Sequence, residues 1–343
     1  MDAGTWSRRK FLGAAGGAAA VSTMGPLSAV ASGHGRKRSR DRAYELKRGD
    51  LPLSRIGIQL FTVRDLLADN ELDLPGTFEV LRDAGYAEVE IGGTYDGRTA
   101  AQFRALAEQY DLKPEGMHNP GGHDAWRANT EAVLDDAETL GLRYVGVASP
   151  NRTLFPSTHE AFKRLAEDFN TFGAAARARG MRFYFHNHPQ EFVLDGGTPV
   201  YDTLLAETDP RLVFFELDIA WIEAGGQSAY EYLRRYGPSR FPLFHVKDLR
   251  YADDGPRLTP PDVNMPNRRF WLTDVGKGDI DFPKIFSALR DPHDHHYFVE
   301  HDDAPDDETP TSTSPRPRNP AGSANTAWTS RRYLAELEIA KRR

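Results

Sequence analysis

The sequence predicts a single (β/α)8 barrel, and three observations lead there. From Arg55 onward, short runs of aromatic and β-branched residues alternate with helix-patterned stretches. That alternation specifies a parallel sheet with crossover helices. The unit repeats eight times, the number that closes such a sheet on itself. Four of the runs also end in residues of metal-ligand type: Arg182-Phe-Tyr-Phe-His-Asn-His188, Val213-Phe-Phe-Glu-Leu-Asp218, Leu243-Phe-His245 and Tyr297-Phe-Val-Glu300. The C-terminal ends of barrel strands are where catalytic groups sit, and carboxylates and imidazoles converging there suit a divalent ion. A doubly wound open sheet is the rival architecture. It calls for a glycine-rich phosphate loop after the first strand, and residues 61–70 contain no glycine.

The elements follow in order. Ile56–Leu60 is the first strand. Leu74–Ala84 has apolar residues at helical spacing and stops before Gly85, a residue suited to the left-handed turn that ends a helix. Tyr86–Ile91 is the second strand, with Glu90 near its end. Thr99–Tyr110 is helical and Lys113–His118 is the third strand. Asp124–Leu140 is a helix that Asp124 can cap and Gly141 stops. Tyr144–Ala148 is the fourth strand, and the helix Ser157–Arg179 ends at Gly180. The fifth to eighth strands are Arg182–His186, Leu212–Asp218, Leu243–Val246 and Tyr297–Glu300. The helices between them are Pro199–Glu207, Ser228–Tyr236 and Phe282–Leu289, and an amphipathic helix, Ala327–Lys341, closes the chain. Two long loops, 250–277 and 302–326, fall on the catalytic face and are expected to shape or cover the site. The second is rich in Pro, Asp, Thr and Ser, a composition that also suits a disordered excursion.

The N-terminus reads as a targeting segment. Ser7-Arg8-Arg9-Lys10-Phe11-Leu12 precedes an Ala/Gly-rich stretch, and Ala29-Val30-Ala31 matches a small-x-small cleavage pattern. Residues 1–31 are therefore expected to be a twin-arginine signal, 32–54 a basic linker and 55–343 the barrel. The protein is expected in the periplasm or outside the cell. The apolar segment is too rich in Gly and Ser, and is broken by Pro26, so no stable membrane span is expected in the mature form. The net charge of −7 argues against nucleic acid as a partner. With no cysteine, neither a disulfide nor a thiolate site can form.

The chain resembles the sugar phosphate isomerase/epimerase group, the xylose isomerase-like TIM barrels, over residues 55–343. The marks are Ile58-Gln-Leu-Phe-Thr-Val-Arg64, Val89-Glu-Ile91, Phe185-His-Asn-His188 with Glu191-Phe192, Glu216-Leu-Asp-Ile-Ala-Trp221, His245-Val-Lys-Asp248, Gly276-Lys-Gly-Asp-Ile-Asp281 and Phe298-Val-Glu-His301. The resemblance implies one divalent ion (Mn, Mg, Co or Zn) held by Glu, Asp, His and Glu from the last four strands. Asp218, His245 and Glu300 match three of those positions. The fifth strand departs from the pattern, because it ends in His186. Glu191, in the following loop, is expected to fold back as the missing ligand, with His186 itself as the alternative.

The implied chemistry moves a proton beside a sugar carbonyl through an enediolate, whose charge a divalent ion stabilises. A histidine in place of one glutamate points to asymmetric chemistry, with Glu300 and His186 in different catalytic roles. Lys247 could steady an oxyanion or point away from the lumen. His118, Glu90, His188, Trp221 and Arg64 are expected to contact substrate, Trp221 as a stacking platform, and Asp248 to orient its neighbours. The expected function is thus an isomerase, epimerase or lyase acting on a sugar or keto-sugar. A sugar-binding barrel without catalysis is the alternative. A three-metal nuclease of the same fold is disfavoured by the acidic charge. The sequence leaves the oligomeric state open.

Overall fold

Buried β-branched and aromatic runs without a polar face can be strands only if both faces are covered. The computed structural model describes residues 51–64, 73–251 and 270–302, and there the runs form a closed eight-stranded parallel barrel. The strands are β1 (Ile56–Gln59), β2 (Glu88–Gly92), β3 (Lys113–His118), β4 (Tyr144–Val147), β5 (Arg182–His186), β6 (Val213–Asp218), β7 (Leu243–Val246) and β8 (His296–Val299). Each pairs with its sequence neighbours, and β1 closes the ring against β8 through Ile56↔Tyr297. The helices are α1 (Leu74–Ala84), α2 (Ala100–Gln109), α3 (Gly122–Leu140), α4 (His159–Ala178), α5 (Tyr201–Glu207), α6 (Ile219–Ala224), α7 (Ala229–Tyr236) and α8 (Phe282–Phe286). None among the described residues is long and apolar enough to cross a membrane. The expected signal, most of the linker, most of loop 302–326 and the helix Ala327–Lys341 lie outside the described residues.

Side-chain parity explains how the barrel makes both a core and a site. Alternate residues of a strand face opposite ways. On β6, Val213, Phe215 and Leu217 join the large outer core under the helices. Phe214 packs instead with Tyr144, Tyr184, Leu243 and Phe298, which form a separate cluster inside the barrel. Glu216 and Asp218 share the parity of Phe214, and His245 and Lys247 share that of Leu243. Lys247 therefore points into the lumen rather than away from it.

Local sequence signals set most helix ends. Asp73 caps α1 through Gly76 N, and Thr99 and Gln102 form a reciprocal capping box on α2. Gly85 and Gly141 take φ of 91° and 73° after α1 and α3. Asp124 does not cap α3. The helix starts earlier, behind Gly121, and Asp124 accepts from Asn151 Nδ2 instead. Loop 250–277 also contains structure that its composition hides, since Asp248–Tyr251 pairs antiparallel with Phe270–Thr273. Leu51, placed in the linker by its neighbours, is buried in the core beside the turn Leu53–Arg55.

Gly173 gives a test of the helix-to-sheet packing. In an ordinary helix interior, Gly→Ala gains up to ~1 kcal/mol. Here a Cβ would lie 2.5 Å from Leu212 O and 3.1 Å from its Cβ, on the chain entering β6. Overpacking of that kind costs about 1–3 kcal/mol and should win. Gly173→Ala is expected to lower the denaturation midpoint, and a raised midpoint would show that the strand entry yields freely.

Candidate metal centre

The parallel register brings the polar strand ends together. Asp218 pairs with His245, and His186 lies beside Glu216. One donor atom from each of His186, Asp218, His245 and Glu300 lies within 4.8 Å of the others, and all four residues are buried. His186 Nε2 is 3.3 Å from Asp218 Oδ2. His245 Nδ1 is 2.7 Å from Glu300 Oε2 and 3.7 Å from Asp218 Oδ2. Four donors at ~2.1 Å from one ion would lie ~3.4 Å apart, close to these separations.

The hydrogen bonding also fits an ion. Despite its proximity to Glu300 Oε2, His245 Nδ1 makes no aligned hydrogen bond with any partner. A buried ring nitrogen left that way is costly unless something else satisfies it. His245 is oriented from behind, its Nε2 standing 2.6 Å from Glu90 Oε2 and 3.2 Å from Glu216 Oε2. A carboxylate on the far nitrogen is the usual support for a metal-binding imidazole, and it leaves Nδ1 for the ion. Asp218 is equally constrained. Its Oδ1 accepts from Trp221 N at 2.8 Å, and its main chain exchanges hydrogen bonds with the Asn187 amide. Only Oδ2 faces the other ligands.

Beneath these ligands lies a second layer of buried polar groups. Glu90 accepts from Gln59 Nε2 at 2.6 Å and from the Tyr184 hydroxyl. Burial pushes its pKa up, but the His118 and His245 imidazoles and its hydrogen bonds outweigh that and hold it down at about 2. Glu216 is pushed up to about 7, first by burial and then by the Glu90 charge. His118 Nε2 lies 2.9 Å from Glu216 Oε2. Lys247 Nζ reaches three carboxylates, at 2.8 Å from Asp218 Oδ2, 2.8 Å from Glu300 Oε2 and 2.6 Å from Asp302 Oδ2. Burial opposes the Lys247 charge, yet Asp218, Asp302 and Glu300 keep its pKa well above the ordinary lysine value.

The layer opens into a cavity of about 380 Å³ whose lining includes Gln59, Phe61, His118, Asn119, His186, His188, Glu300 and Asp302. Several expected site residues lie elsewhere. Glu191 does not fold back onto the ligands. It sits in the turn Pro189–Phe192, ion-paired to Arg152 and accepting from His188 N, and His186 is the residue that stands with Asp218, His245 and Glu300. Trp221 does not line this cavity. It is 6% exposed, and its ring packs against Lys247 with Nζ 4.5 Å from the centroid. Glu90 is fully buried beneath His245 and lines no part of the cavity. Arg64 binds the main-chain oxygens of Phe61 and Asp302, clasping the loops after β1 and β8. Asp248 accepts main-chain N–H groups of Gly276 and Gly278, which ties down the return of the long loop.

A third buried group, Glu88, Glu115 and His296, lies at the opposite end of the strands. Arg55 Nη1 is 2.7 Å from His296 Nε2, whose Nδ1 is 2.6 Å from Glu88 Oε2. Arg55 can only donate, so His296 accepts at Nε2 and donates from Nδ1. Lys113 also neutralises Glu115. This group is a polar plug in the barrel floor whose charges meet Arg55 and Lys113.

The profile of the xylose isomerase-like TIM barrels matches residues 78–320. The chain belongs to this family. Within it, the chain is 33% identical over 133 residues to an inosose dehydratase of Clostridium perfringens, covering 38% of this chain and 44% of that protein. An inosose dehydratase of Clostridium botulinum is 27% identical over 239 residues, covering 61% and 74%. The chain thus spans less than half the length of the first relative. A sugar phosphate isomerase/epimerase structure from Parabacteroides distasonis aligns with TM-score 0.60 at 22% identity, covering 89% of this chain and 100% of that one. The IolI protein, crystallised with zinc, aligns with TM-score 0.54 at 17% identity, covering 82% and 98%. At these identities the two structures show the shared fold.

The geometry predicts opposite outcomes for two carboxylates. Asp218→Ala is expected to abolish stoichiometric metal binding, because a lost ligand removes a large part of the binding energy. Glu191→Ala should keep the metal and lower only stability. Metal content by plasma mass spectrometry after dialysis decides, and loss of metal from Glu191→Ala would return that residue to the ligand shell.

Proposed function

We propose that this protein is a divalent-metal-dependent dehydratase of keto-cyclitols or keto-sugars, exported by the twin-arginine route. The observation that carries the reading is the unlike chemistry around one cavity. A carboxylate, Glu300, and an imidazole backed by a carboxylate, His118 on Glu216, both line it. A symmetric proton shuttle would want two matching bases, whereas dehydration needs one base and one acid. The inosose dehydratases among the relatives support this reaction class.

In this reading, Glu300 takes the proton from the carbon beside the substrate ketone with Oε1, since Oε2 faces the other ligands. The C–H electron pair moves into an enolate. When the enolate collapses, the neighbouring C–O bond breaks, and His118 gives the departing hydroxyl its proton, releasing water. Glu216 holds His118 in place for that transfer. Lys247 lies next to Glu300 and offers its ammonium to the developing negative charge. His186, Asp218, His245 and Glu300 would hold a divalent ion, which would supply Lewis acidity when bound. His186, expected from the sequence to handle protons, serves here as a ligand.

The test uses purified protein stripped with chelator and reloaded separately with Mn²⁺, Co²⁺, Zn²⁺ or Mg²⁺. Formation of the unsaturated ketone from 2-keto-myo-inositol and from 3-keto-glucosides is followed by ultraviolet absorbance. Metal-dependent turnover is expected, with Glu300→Gln and His118→Ala each lowering kcat by about 10²-fold or more. Turnover that survives metal removal would refute the reading. A chain that binds metal yet converts none of these ketones would point to a sugar-binding protein. Export is tested by replacing Arg8 and Arg9 with Lys, which should retain the precursor in the cytoplasm, and unchanged export would remove that part of the proposal.

A further inference from the structure

Among the described residues, Lys247 is the one buried ammonium beside the candidate ligands, and its contacts conflict with theirs. Nζ lies 2.8 Å from Asp218 Oδ2 and 2.8 Å from Glu300 Oε2. These are the same oxygens that face His186 and His245 in the ligand group. Asp218 has no spare oxygen to divide between two cations, because Oδ1 is bound to Trp221 N. An ammonium and a divalent ion therefore draw on one Oδ2 and one Oε2. The third partner, Asp302, is different. It stands 2.6 Å from Nζ, lies outside the ligand group and lines the cavity.

We propose that Lys247 is an internal competitor for the metal ion, and that Asp302 is the partner that receives it when the ion binds. On this view the ammonium neutralises Asp218 and Glu300 while the centre is empty and occupies the oxygens the ion would use. Entry of the ion weakens those two contacts by charge repulsion and by withdrawal of electron density from the shared oxygens. The ammonium then rests on Asp302 at the edge of the cavity, where it can meet substrate. Metal affinity is thereby set by residues that need not coordinate the ion. The inference rests on the four-residue ligand group of the proposed dehydratase, but not on which ketone is converted.

The test is a competition titration of metal-free protein with Zn²⁺ and with Mn²⁺ against a chromophoric chelator. It compares wild type, Lys247→Met, Asp302→Asn and the double variant, with folding checked by circular dichroism. Lys247→Met should bind the ion at least about tenfold more tightly, since a like charge beside it is gone. Asp302→Asn should bind several-fold more weakly, because the lysine has lost its alternative partner. In the Lys247→Met background, Asp302→Asn should have little further effect, which is the coupling expected if Asp302 acts through the lysine. Weaker binding by Lys247→Met would overturn the proposal, since the ammonium would then be supporting the ligands. Equal effects of Asp302→Asn in both backgrounds would overturn the role of Asp302. If Lys247→Met does not fold, unchanged affinity in Asp302→Asn is enough to reject the idea. A wild-type chain that binds neither ion overturns both this proposal and the ligand assignment. Tight wild-type binding without the expected variant pattern overturns this proposal alone.

Discussion

The imidazole of His245 is the joint on which the site depends. One ring nitrogen is held by Glu90 and Glu216 deep in the lumen, and the other faces Asp218 and Glu300 above. A ring held at one nitrogen has its second nitrogen aimed by covalent geometry. The buried carboxylates below thus do work at the mouth without reaching it. Glu90 can play this part because Gln59 and Tyr184, on two other strands, satisfy it. Leaving such a charge unpaired in the barrel interior would be costly, so the site inherits its rigidity from the paired Glu90 beneath it.

Much of this was legible in the sequence because strand parity is a local property. The runs that end at His186, Asp218, His245 and Glu300 announce both the strands and the end that carries chemistry. Lys247 and Glu216 were legible by the same rule. Each lies two residues from a candidate ligand, Glu216 within β6 and Lys247 one residue past the end of β7, and therefore faces the same way. The composition around Lys247 leaves its direction open, whereas its parity with His245 decides it, and Glu216 shares the parity of Asp218 within one run.

What escaped the sequence depended on partners distant along the chain. Whether Glu191 or His186 joins the candidate ligand group turns on Arg152, which is 39 positions from Glu191 and pairs with it in a separate, half-buried contact. Nothing near Glu191 in the sequence announces that cation. The hairpin inside loop 250–277 is hidden for a related reason, since its strands are too far apart for a tight-turn signature. Trp221 and Arg64 belong to familiar substrate-binding types, but their surroundings commit one to Lys247 and the other to two main-chain oxygens.

The double duty of Asp218 has a consequence for how this barrel can vary. One of its oxygens begins helix α6, and the other faces the prospective ion. A longer acidic side chain could reach one of those targets but would be displaced from the other, and a neutral isostere would keep the helix start while giving up charge toward the ion. The order of the Ile219–Ala224 turn and the chemistry of the centre therefore travel together. A lineage that abandoned the metal would be free to change His186 or Glu300 well before it could release Asp218, so an aspartate there would outlast the activity it once served.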